Sequence, residues 1–331
     1  MLNIERPRLR HCTLIDEPTS NKTVLVVGKD YFVLERTDGH RDDLLKLKSL
    51  LDGRHTLAQI QQKTGISLAD IEQVVKEFQG AGLLQVRSDA PWISVPEFLE
   101  KIEATSIMWR RQIGLHRIFA GLTKGDYRRE VFLGLLIETY HYVYLLPRTL
   151  LSLSQLMRPT RFQGVVAEYA HEEMDHYIAY REALSTVAEI GNSLSTSHPT
   201  VGTLSLIRNF ESIGRKSDLS LVCCLQLIEA RKAEVSEAES NLRSIADRYK
   251  LPELVEAFID HMKADIDLGH SNLLSDALQG TEHIDAAAAH DAVNDMHDIK
   301  HCFDAFHESV LGYYRDISNY IPRPKVDYFA L

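Results

Sequence analysis

The chain has 331 residues, of which 44% are hydrophobic and 25% are charged, the composition of an ordinary soluble globular protein. Its formal net charge of −10 argues against general affinity for nucleic acid or for an anionic membrane surface. The most apolar run, VFLGLLIETYHYVYLL, contains Glu138 and His141 and is too short to span a bilayer comfortably. Neither a nucleic acid nor a membrane is therefore expected as a partner.

The first ninety residues mix strand and helix patterns. TVLVVG and YFVLER predict a hairpin of two β-branched strands, and LLQV predicts a later strand. Between them lie three helical patterns, RDDLLKLKSLL, TLAQIQQK and SLADIEQVVKEF. Ser67 and Asp70 form a partial capping box for the third helix, and Gly80 and Gly82 end it. Residues 1–90 are therefore predicted to form a small α+β domain of winged-helix type.

The charge of this domain decides between two functions of a winged helix. Residues 1–90 carry thirteen Lys and Arg against thirteen Asp and Glu, a net of zero. The third helix carries Asp70, Glu72 and Glu77 against Lys76 alone. Binding to duplex DNA depends heavily on neutralising phosphates, so DNA binding is disfavoured.

The same stretch contains LLDG, then T-L-x-x-I, then a D-I-x-x-V helix followed by G-L-L. This pattern resembles the peptide-recognition elements of ribosomal-peptide biosynthesis, of which the PqqD-like chaperone domain of quinone-cofactor synthesis is the type. The resemblance implies that a precursor leader peptide pairs with the edge of the sheet as an added strand. A structural or dimerisation appendage without peptide binding has equal standing, since fold does not fix function.

From about Val95 to the end, residues 95–331, the pattern is nearly all helical, and Pro91 and Pro96 mark the linker. Breaks divide this region into about seven helices, several of them long. The breaks fall at Gly121–Gly125, Arg158-Pro159, Gly191–Thr203, Asp218, Lys250–Pro252 and Gln279–Thr281. The predicted fold class is therefore mainly α, a helical bundle preceded by a small α+β domain.

Acidic and histidine side chains interrupt the apolar faces of four of these helices. Glu173 and His176 lie on a stripe shared with Phe162, Val166, Tyr169, Tyr180, Ala183 and Val187. The helix around Glu138 is apolar nearly all round, so that carboxylate is buried and needs a partner. Glu229 ends a strongly apolar run. Asp267 lies one turn before His270, which shares an apolar face with Ile259, Ile266, Leu273 and Leu274. The candidate metal ligands are Glu138, Glu173, His176, Glu229, Asp267 and His270.

Four carboxylates and two imidazoles from four helices are the type of ligand set with which a bundle holds two iron or manganese ions. Any one such residue alone is more often a hydrogen-bonded core residue. Two Glu/Asp-x-x-His pairs together with two isolated inward Glu residues favour the metal interpretation.

Other polar clusters are weaker candidates. His261 and Asp265 lie on a flank that looks less apolar. A one-residue shift in helix phase would bring His171 and Glu172 inward, so they are reserve candidates. Lys263 is more simply a surface lysine than a functional amine. A further polar cluster is expected to be solvated, because the apolar stripe of its helix runs through other positions. Its members are His297, His301, Asp304 and His307.

With Glu138 in ETYHYV, the HEEMDH run, Glu229 in LIEARKAE and then DIDLGHSNLL, the helical region resembles the heme-oxygenase-like diiron oxidases. These are relatives of thiaminase II and of the C protein of pyrroloquinoline-quinone synthesis. The resemblance implies two iron ions (Fe2+/Fe3+) as cofactor and O2 as co-substrate, with manganese as the alternative metal. It also implies an oxidoreductase in a biosynthetic pathway, acting on an amino-acid-like or peptide substrate. Many relatives carry a further histidine where this chain has Lys263, so the site either takes His261 in its place or lacks that ligand.

Two further functions remain open. A metal-free enzyme of the quinone-oxidase or thiaminase kind would use Glu and His as acid–base groups, and thiaminase relatives use a cysteine nucleophile. Cys223 and Cys224 are placed for this, but their apolar surroundings indicate inert core thiols. A non-catalytic peptide-binding scaffold is the third option. Without cysteine-framework spacing or a signal-type start, a reduced cytoplasmic setting is expected, and a homodimer is one option for the assembly.

Overall fold

The structure, a computed structural model, describes residues 5–16, 22–27, 30–35, 40–85, 90–229, 232–267 and 270–326. The chain divides into two compact units, residues 1–90 and residues 91–331. Within the described part, no helix is both long enough and apolar enough to cross a bilayer.

The first unit contains a three-stranded antiparallel sheet and three helices. The strands, in the order β1-β2-β3, are β1 (Thr13–Asp16), β2 (Lys22–Val27) and β3 (Asp30–Glu35). The helices are α1 (His40–Leu50), α2 (Leu57–Thr64) and α3 (Leu68–Gly80). The expected hairpin is β2 with β3, in which Val24 faces Val33. Strand β1 was not expected from the sequence.

Local sequence sets the helix starts in this unit. Thr56 and Gln59 form a capping box at α2, and the Ser67 hydroxyl accepts a hydrogen bond from the Asp70 amide at α3. The expected LLQV strand reduces, among the described residues, to an isolated bridge between Leu84 and Leu9.

The second unit is helical with one small two-stranded sheet. Strands β4 (Trp92–Ser94) and β5 (His283–Asp285) pair antiparallel. The helices are α4 (Val95–Gly114), α5 (Arg117–Lys124), α6 (Arg129–Ser154), α7 (Arg161–Glu172), α8 (Tyr177–Ser185), α9 (Val201–Lys216), α10 (Asp218–Ile228), α11 (Lys232–Arg248), α12 (Glu256–Asp267), α13 (Leu273–Ala277) and α14 (Ala286–Tyr314). The prediction of a mainly helical class is confirmed.

Residues 92–94, expected to be linker, instead form β4, and α4 follows at once. Ser94 caps α4 by accepting a hydrogen bond from the Glu97 amide, and Pro96 lies in the first turn of the helix. Proline is favoured at that position because the missing N–H would have no partner there anyway. Pro96 therefore marks a helix start rather than a linker.

The described part of this unit has eleven α-helices instead of about seven, because several expected long helices are interrupted. A 3₁₀ turn, Glu173–Asp175, separates α7 from α8. Helix α10 ends at Ile228, so Glu229 has an extended backbone with ψ 121°. Helix α12 ends at Asp267, and His270 begins another 3₁₀ turn. These three interruptions all fall at predicted metal ligands.

Helix α6 is the centre of the core and is packed against α7, α9 and α14. Gly134 on α6 allows close packing against α14, because an added Cβ there would lie 2.3 Å from the ring of Tyr314. Gly202 on α9 likewise allows close packing against α14, because an added Cβ there would lie 2.6 Å from the Ala305 carbonyl oxygen. These contacts bring Tyr314 against the buried middle of α6, where Glu138 lies.

Candidate metal centre

Glu173 is the centre of a buried polar cluster in the second unit. It begins the 3₁₀ turn between α7 and α8 and is only 5% exposed. Its Oε2 lies 2.9 Å from Nδ1 of His176 and 3.2 Å from Nε2 of His261 on α12. One donor atom from each of these three residues lies within 4.8 Å of the other two. They are the nitrogen and oxygen donors that iron, manganese and zinc accept.

The other carboxylate oxygen of Glu173 faces a second set of donors. Glu173 Oε1 lies 3.4 Å from Nδ1 of His270, and the same nitrogen lies 3.5 Å from Glu229 Oε2. Glu229 is 5% exposed and His270 is 2% exposed. The two oxygens of one carboxylate therefore face two groups of ligand-type side chains.

The 3₁₀ turn at Glu173 explains how neighbouring residues contact both groups of donors. A 3₁₀ turn has three residues per turn, so side chains at i and i+3 eclipse each other. This places His176 beside Glu173. Glu172, the last residue of α7, instead contacts His270, with its Oε2 3.0 Å from His270 Nε2.

Charges within the cluster compensate each other. Burial alone would raise the pKa of Glu173, but hydrogen bonds and charge interactions with His176 and His261 lower it to about 2. Burial opposes the charged form of His270, but ion pairs with Glu229, Glu172 and Glu173 outweigh it and raise its pKa to about 9. In this arrangement a protonated imidazole supplies positive charge between the carboxylates, where a metal cation could supply it instead.

Hydrogen bonds from outside the cluster orient two of its members. The Tyr169 hydroxyl on α7 donates to Glu229 Oε1 at 2.7 Å, and its ring meets the His270 ring edge-on at 4.9 Å. Glu172 contacts the His270 nitrogen that faces away from Glu173. Metal-binding histidines commonly donate their second ring N–H to a carboxylate in this way.

Glu138 lies elsewhere in the core and is fully buried. Its Oε2 accepts hydrogen bonds from the Thr200 amide at 2.9 Å, the Thr200 hydroxyl at 3.2 Å and the Thr203 hydroxyl. Its Oε1 accepts from the Tyr314 hydroxyl at 3.1 Å. Burial raises the pKa of Glu138 despite these four donors. Within the described residues it has no hydrogen bond or ion pair with another candidate ligand, so its role as a ligand stays a prediction.

Asp267 ends α12, and its side chain lies outside the described part of the structure. The expectation that His261 lies on a less apolar flank is wrong, because the Phe258 ring one turn earlier stacks on Tyr180 at 4.0 Å. His261 follows on that buried face, 5.4 Å from the Tyr180 ring. The apolar residue three positions before His261 was the signal that could have identified it.

Only one of the two reserve candidates, Glu172 and His171, contacts the cluster in the described part of the structure. Glu172 belongs to the cluster, whereas His171 is exposed. Lys263 is half exposed and pairs with Glu239 at 2.9 Å, as expected of a surface lysine. His307 was expected to be solvated, which is wrong: it is 4% exposed, beside the Phe119 ring at 5.1 Å.

A cavity of about 350 Å³ adjoins the cluster on the side of α7 and α13. Tyr169 and His270, both buried, line it together with Glu172. A small molecule in this cavity would therefore contact a proposed ligand and the tyrosine that orients another.

Comparison with known proteins identifies the fold of the helical unit. The structure is similar to a domain of unknown function with a heme oxygenase-like fold from Shewanella denitrificans OS217, with TM-score 0.55, 17% identity and coverage of 67% of this chain and 94% of that chain. A TenA family transcription regulator from Silicibacter sp. TM1040 matches with TM-score 0.44, 19% identity and coverage of 65% and 96%. A TenA homologue from P. horikoshii OT3 matches with TM-score 0.42, 15% identity and coverage of 66% and 98%. No protein-family model and no curated protein matches the sequence.

The first similarity shows a heme-oxygenase-like fold, which confirms the predicted architecture. The other two TM-scores lie below 0.5, so the assignment rests on the first. The molecule is thus a heme-oxygenase-like helical bundle that carries a buried carboxylate–imidazole cluster beside a cavity.

Proposed function

We propose that the protein is a non-heme diiron oxidase or oxygenase that uses O2 to oxidise a small amino-acid-like substrate in a biosynthetic pathway. The observation that carries this proposal is the position of Glu173 between two donor groups. Its Oε2 faces His176 and His261, and its Oε1 faces His270, which Glu229 also contacts. A carboxylate with its oxygens directed to two donor sets is suited to bridge two cations.

The residues present fit such a metal. Oε1 of Glu173 is buried, and in the described part of the chain it has an ion pair with His270 Nδ1 at 3.4 Å but no hydrogen bond, so it is available as a metal donor. The donors are carboxylates and imidazoles, without a thiolate, which suits iron(II) or manganese better than structural zinc. When bound, two iron(II) ions would supply the ability to bind and reduce O2.

The proposed ligands are Glu173, His176 and His261 on one side and His270 and Glu229 on the other. Glu172 and Tyr169 hold His270 and Glu229 in orientation, and the apolar core around them limits water. Glu138 and Asp267 belong to the proposed ligand set on the sequence pattern alone. Glu138 would have to exchange hydrogen bonds from Thr200, Thr203 and Tyr314 for a metal.

The size of the cavity supports a small substrate. Its volume of about 350 Å³ lies near the lower end of ligand pockets, which run from roughly 300 to 1,000 Å³. An amino-acid-sized molecule fits that volume, as does one side chain of a peptide. A whole peptide segment does not.

A peptide substrate would need a second binding region, and the first unit is the proposed one. Strand β3 pairs with β2 on one side only among the described strands, and its Tyr31 and Val33 are exposed. Such an edge can accept an added strand. Binding of a leader peptide is tested by titrating a labelled precursor, with Val33→Pro expected to abolish binding and Val201→Pro, at an exposed site in the other unit, to leave it unchanged.

A metal-free enzyme with a cysteine nucleophile has less support. Cys223 and Cys224 are fully buried on α10, and burial raises the pKa of both thiols far above the neutral range. Burial also raises the pKa of the half-buried Cys302 to about 11. A thiolate is the reactive form, so these cysteines are poorly suited to attack a substrate.

The proposal is tested by anaerobic loading with Fe(II), removal of excess metal and addition of O2. Wild-type protein is expected to consume O2 and oxidise its iron, with a transient visible absorption. Glu173→Gln is expected to lose both effects, whereas Glu182→Gln, which neutralises an exposed carboxylate on α8, retains them. The proposal would be contradicted if wild type, Glu173→Gln and Glu182→Gln all oxidised iron at the rate of free Fe(II). That result would favour the metal-free enzyme or the scaffold function.

A further inference from the structure

We propose that His297 and His301 on α14 form a second metal site, which binds a divalent transition metal ion of the class that prefers imidazole nitrogen, such as Ni2+, Cu2+ or Zn2+. The site shares no residue with the proposed diiron centre and does not depend on it. Its evidence is the convergence of two ring nitrogens and the contacts that hold each ring in place.

The two imidazoles lie one turn apart on the same face of α14, as residues i and i+4 of a helix do. Nε2 of His297 lies 3.2 Å from Nε2 of His301, and the ring planes are nearly perpendicular. With metal–nitrogen bonds of about 2.0–2.1 Å, this 3.2 Å separation corresponds to an angle of roughly 100° at a shared ion. That angle lies between the square-planar and the tetrahedral values, so both nitrogens can hold one ion.

Asp304 holds the His301 ring in the tautomer that a metal requires. Nδ1 of His301 lies 3.2 Å from Asp304 Oδ2, and a carboxylate only accepts, so Nδ1 carries the proton. Nε2 of the neutral ring then keeps its lone pair, directed at His297. Metal-binding histidines commonly have such a carboxylate on the second ring nitrogen.

The charge of Asp304 is balanced by Lys300, whose Nζ donates to the same carboxylate oxygen at 2.7 Å. The site therefore does not depend on an excess of negative charge. It depends on two nitrogen lone pairs, which neutral imidazoles supply.

Packing against α4 holds the His297 ring. Its centroid lies 5.2 Å from that of Trp109, which is 7% exposed. His297 is half-buried, whereas the His301 side chain is 55% exposed. The pair thus has a packed inner member and an open outer side, where water can complete the coordination of the ion.

Trp109 provides a local reporter, because Cu2+ bound at His297 would quench the emission of the tryptophan ring beside that imidazole. The chain has two tryptophans, so a Trp92→Phe background leaves Trp109 alone. Titration of this full-length protein with Cu2+ is expected to give saturable quenching. His301→Ala is expected to raise the Cu2+ concentration at half-maximal quenching at least tenfold. Unsaturable quenching, or the same titration curve in His301→Ala, would overturn the inference and mean that the two rings only hydrogen-bond to each other.

Two further variants in that background separate the chelating pair from its surroundings. His290→Ala is the matched control, because it removes another exposed imidazole from α14, and it should bind Cu2+ as the parent protein does. Asp304→Ala is expected to weaken Cu2+ binding by roughly 10–100-fold, the usual cost of losing an orienting carboxylate. Equal affinity in Asp304→Ala would overturn the orienting role of that residue.

Glu173→Ala in the same background distinguishes this site from the proposed diiron centre. It is expected to leave the quenching of Trp109 unchanged, because Glu173 belongs to the other group of donors. Loss of quenching in Glu173→Ala would place the Cu2+ at the Glu173 cluster and overturn the inference. Saturable quenching together with failed iron binding would support the histidine pair and contradict only the proposed oxidase function.

Discussion

Glu172 and His270 form a contact in which Glu172 Oε2 lies 3.0 Å from His270 Nε2, on the side of the ring away from Glu173. The contact fixes the rotation of the imidazole and directs Nδ1 toward Glu173 and Glu229. Because Glu172 is about one third exposed and His270 is buried, the contact joins the cavity to the cluster. Two consecutive glutamates thus have different roles, one at the centre of the cluster and one behind a proposed ligand.

Replacing Glu172 by alanine is expected to weaken Fe(II) binding by roughly 10–100-fold, the usual cost of losing an orienting carboxylate. The measurement is a competition titration against a coloured chelator under anaerobic conditions. Glu182→Ala, another exposed glutamate, should leave the affinity unchanged. An unaltered affinity in Glu172→Ala would show that His270 needs no orientation by Glu172.

Replacing Glu138 by alanine is expected to lower the free energy of unfolding of the metal-free protein by about 3 kcal/mol. The reason is that donors from Thr200, Thr203 and Tyr314 lose their acceptor, and each unsatisfied buried group costs roughly 1–3 kcal/mol. Glu138→Gln keeps an acceptor and should lose less. Denaturant unfolding checks both. If metal-free Glu138→Ala is as stable as wild type while metal uptake falls, Glu138 acts as a ligand rather than a structural anchor.

Gly134→Ala is expected to destabilise the protein by roughly 1–3 kcal/mol, the usual cost of overpacking, because the added methyl would meet the Tyr314 ring at 2.3 Å. Gly164→Ala on α7 is the matched control. Its added Cβ meets nothing within 4 Å, and alanine gains up to about 1 kcal/mol over glycine in a helix. Equal unfolding midpoints for the two variants would refute the close packing of α6 on α14.

Stability is expected to fall between pH 6.5 and pH 5 because of two buried neutral histidines. Burial, aided by the charge of His198, lowers the pKa of His141 to about 4, and burial with the charge of His116 lowers that of His307 to about 3. Unfolding restores a pKa of about 6.5, so the unfolded state binds more protons in this window and stability rises with pH.

Each histidine is expected to contribute about 2 kcal/mol of this loss by pH 5. Urea unfolding of metal-free protein at several pH values provides the measurement, and the fall in stability by pH 5 should be about 2 kcal/mol smaller in His307→Leu than in wild type. A pH dependence that is the same in His307→Leu as in wild type would mean that the His307 ring is protonated in the folded state or exposed to water.

The sequence pattern alone placed Glu173 and His176 on a buried face, since an apolar stripe reports burial directly. It could not show that the helix breaks at Glu173, because periodicity assumes a constant number of residues per turn. The break changes the directions in which the neighbouring side chains point, and Glu172 contacts His270 as a result. For the same reason the sequence predicted continuous helices through Glu229 and His270.

The partners of Glu138 were beyond prediction for another reason. Thr200 is 62 residues away in sequence and Tyr314 is 176 residues away. Which distant donor meets a buried carboxylate depends on how α9 and α14 pack on α6, and no local pattern contains that information. The sequence predicts that Glu138 is paired, protonated or bound to a metal and places it among the metal ligands, whereas in the structure it accepts hydrogen bonds.

Glu173 would provide a carboxylate oxygen to each of two metal ions, and the metal stoichiometry of the protein is the sharpest test of this role. Anaerobic Fe(II) titration followed by gel filtration and iron analysis is predicted to give two iron ions per wild-type chain, one in His176→Ala or His270→Ala, and none in Glu173→Ala. Glu182→Ala should retain two. Wild-type protein without stoichiometric iron, or a Glu173→Ala variant that still holds two ions, would refute a two-metal site at Glu173.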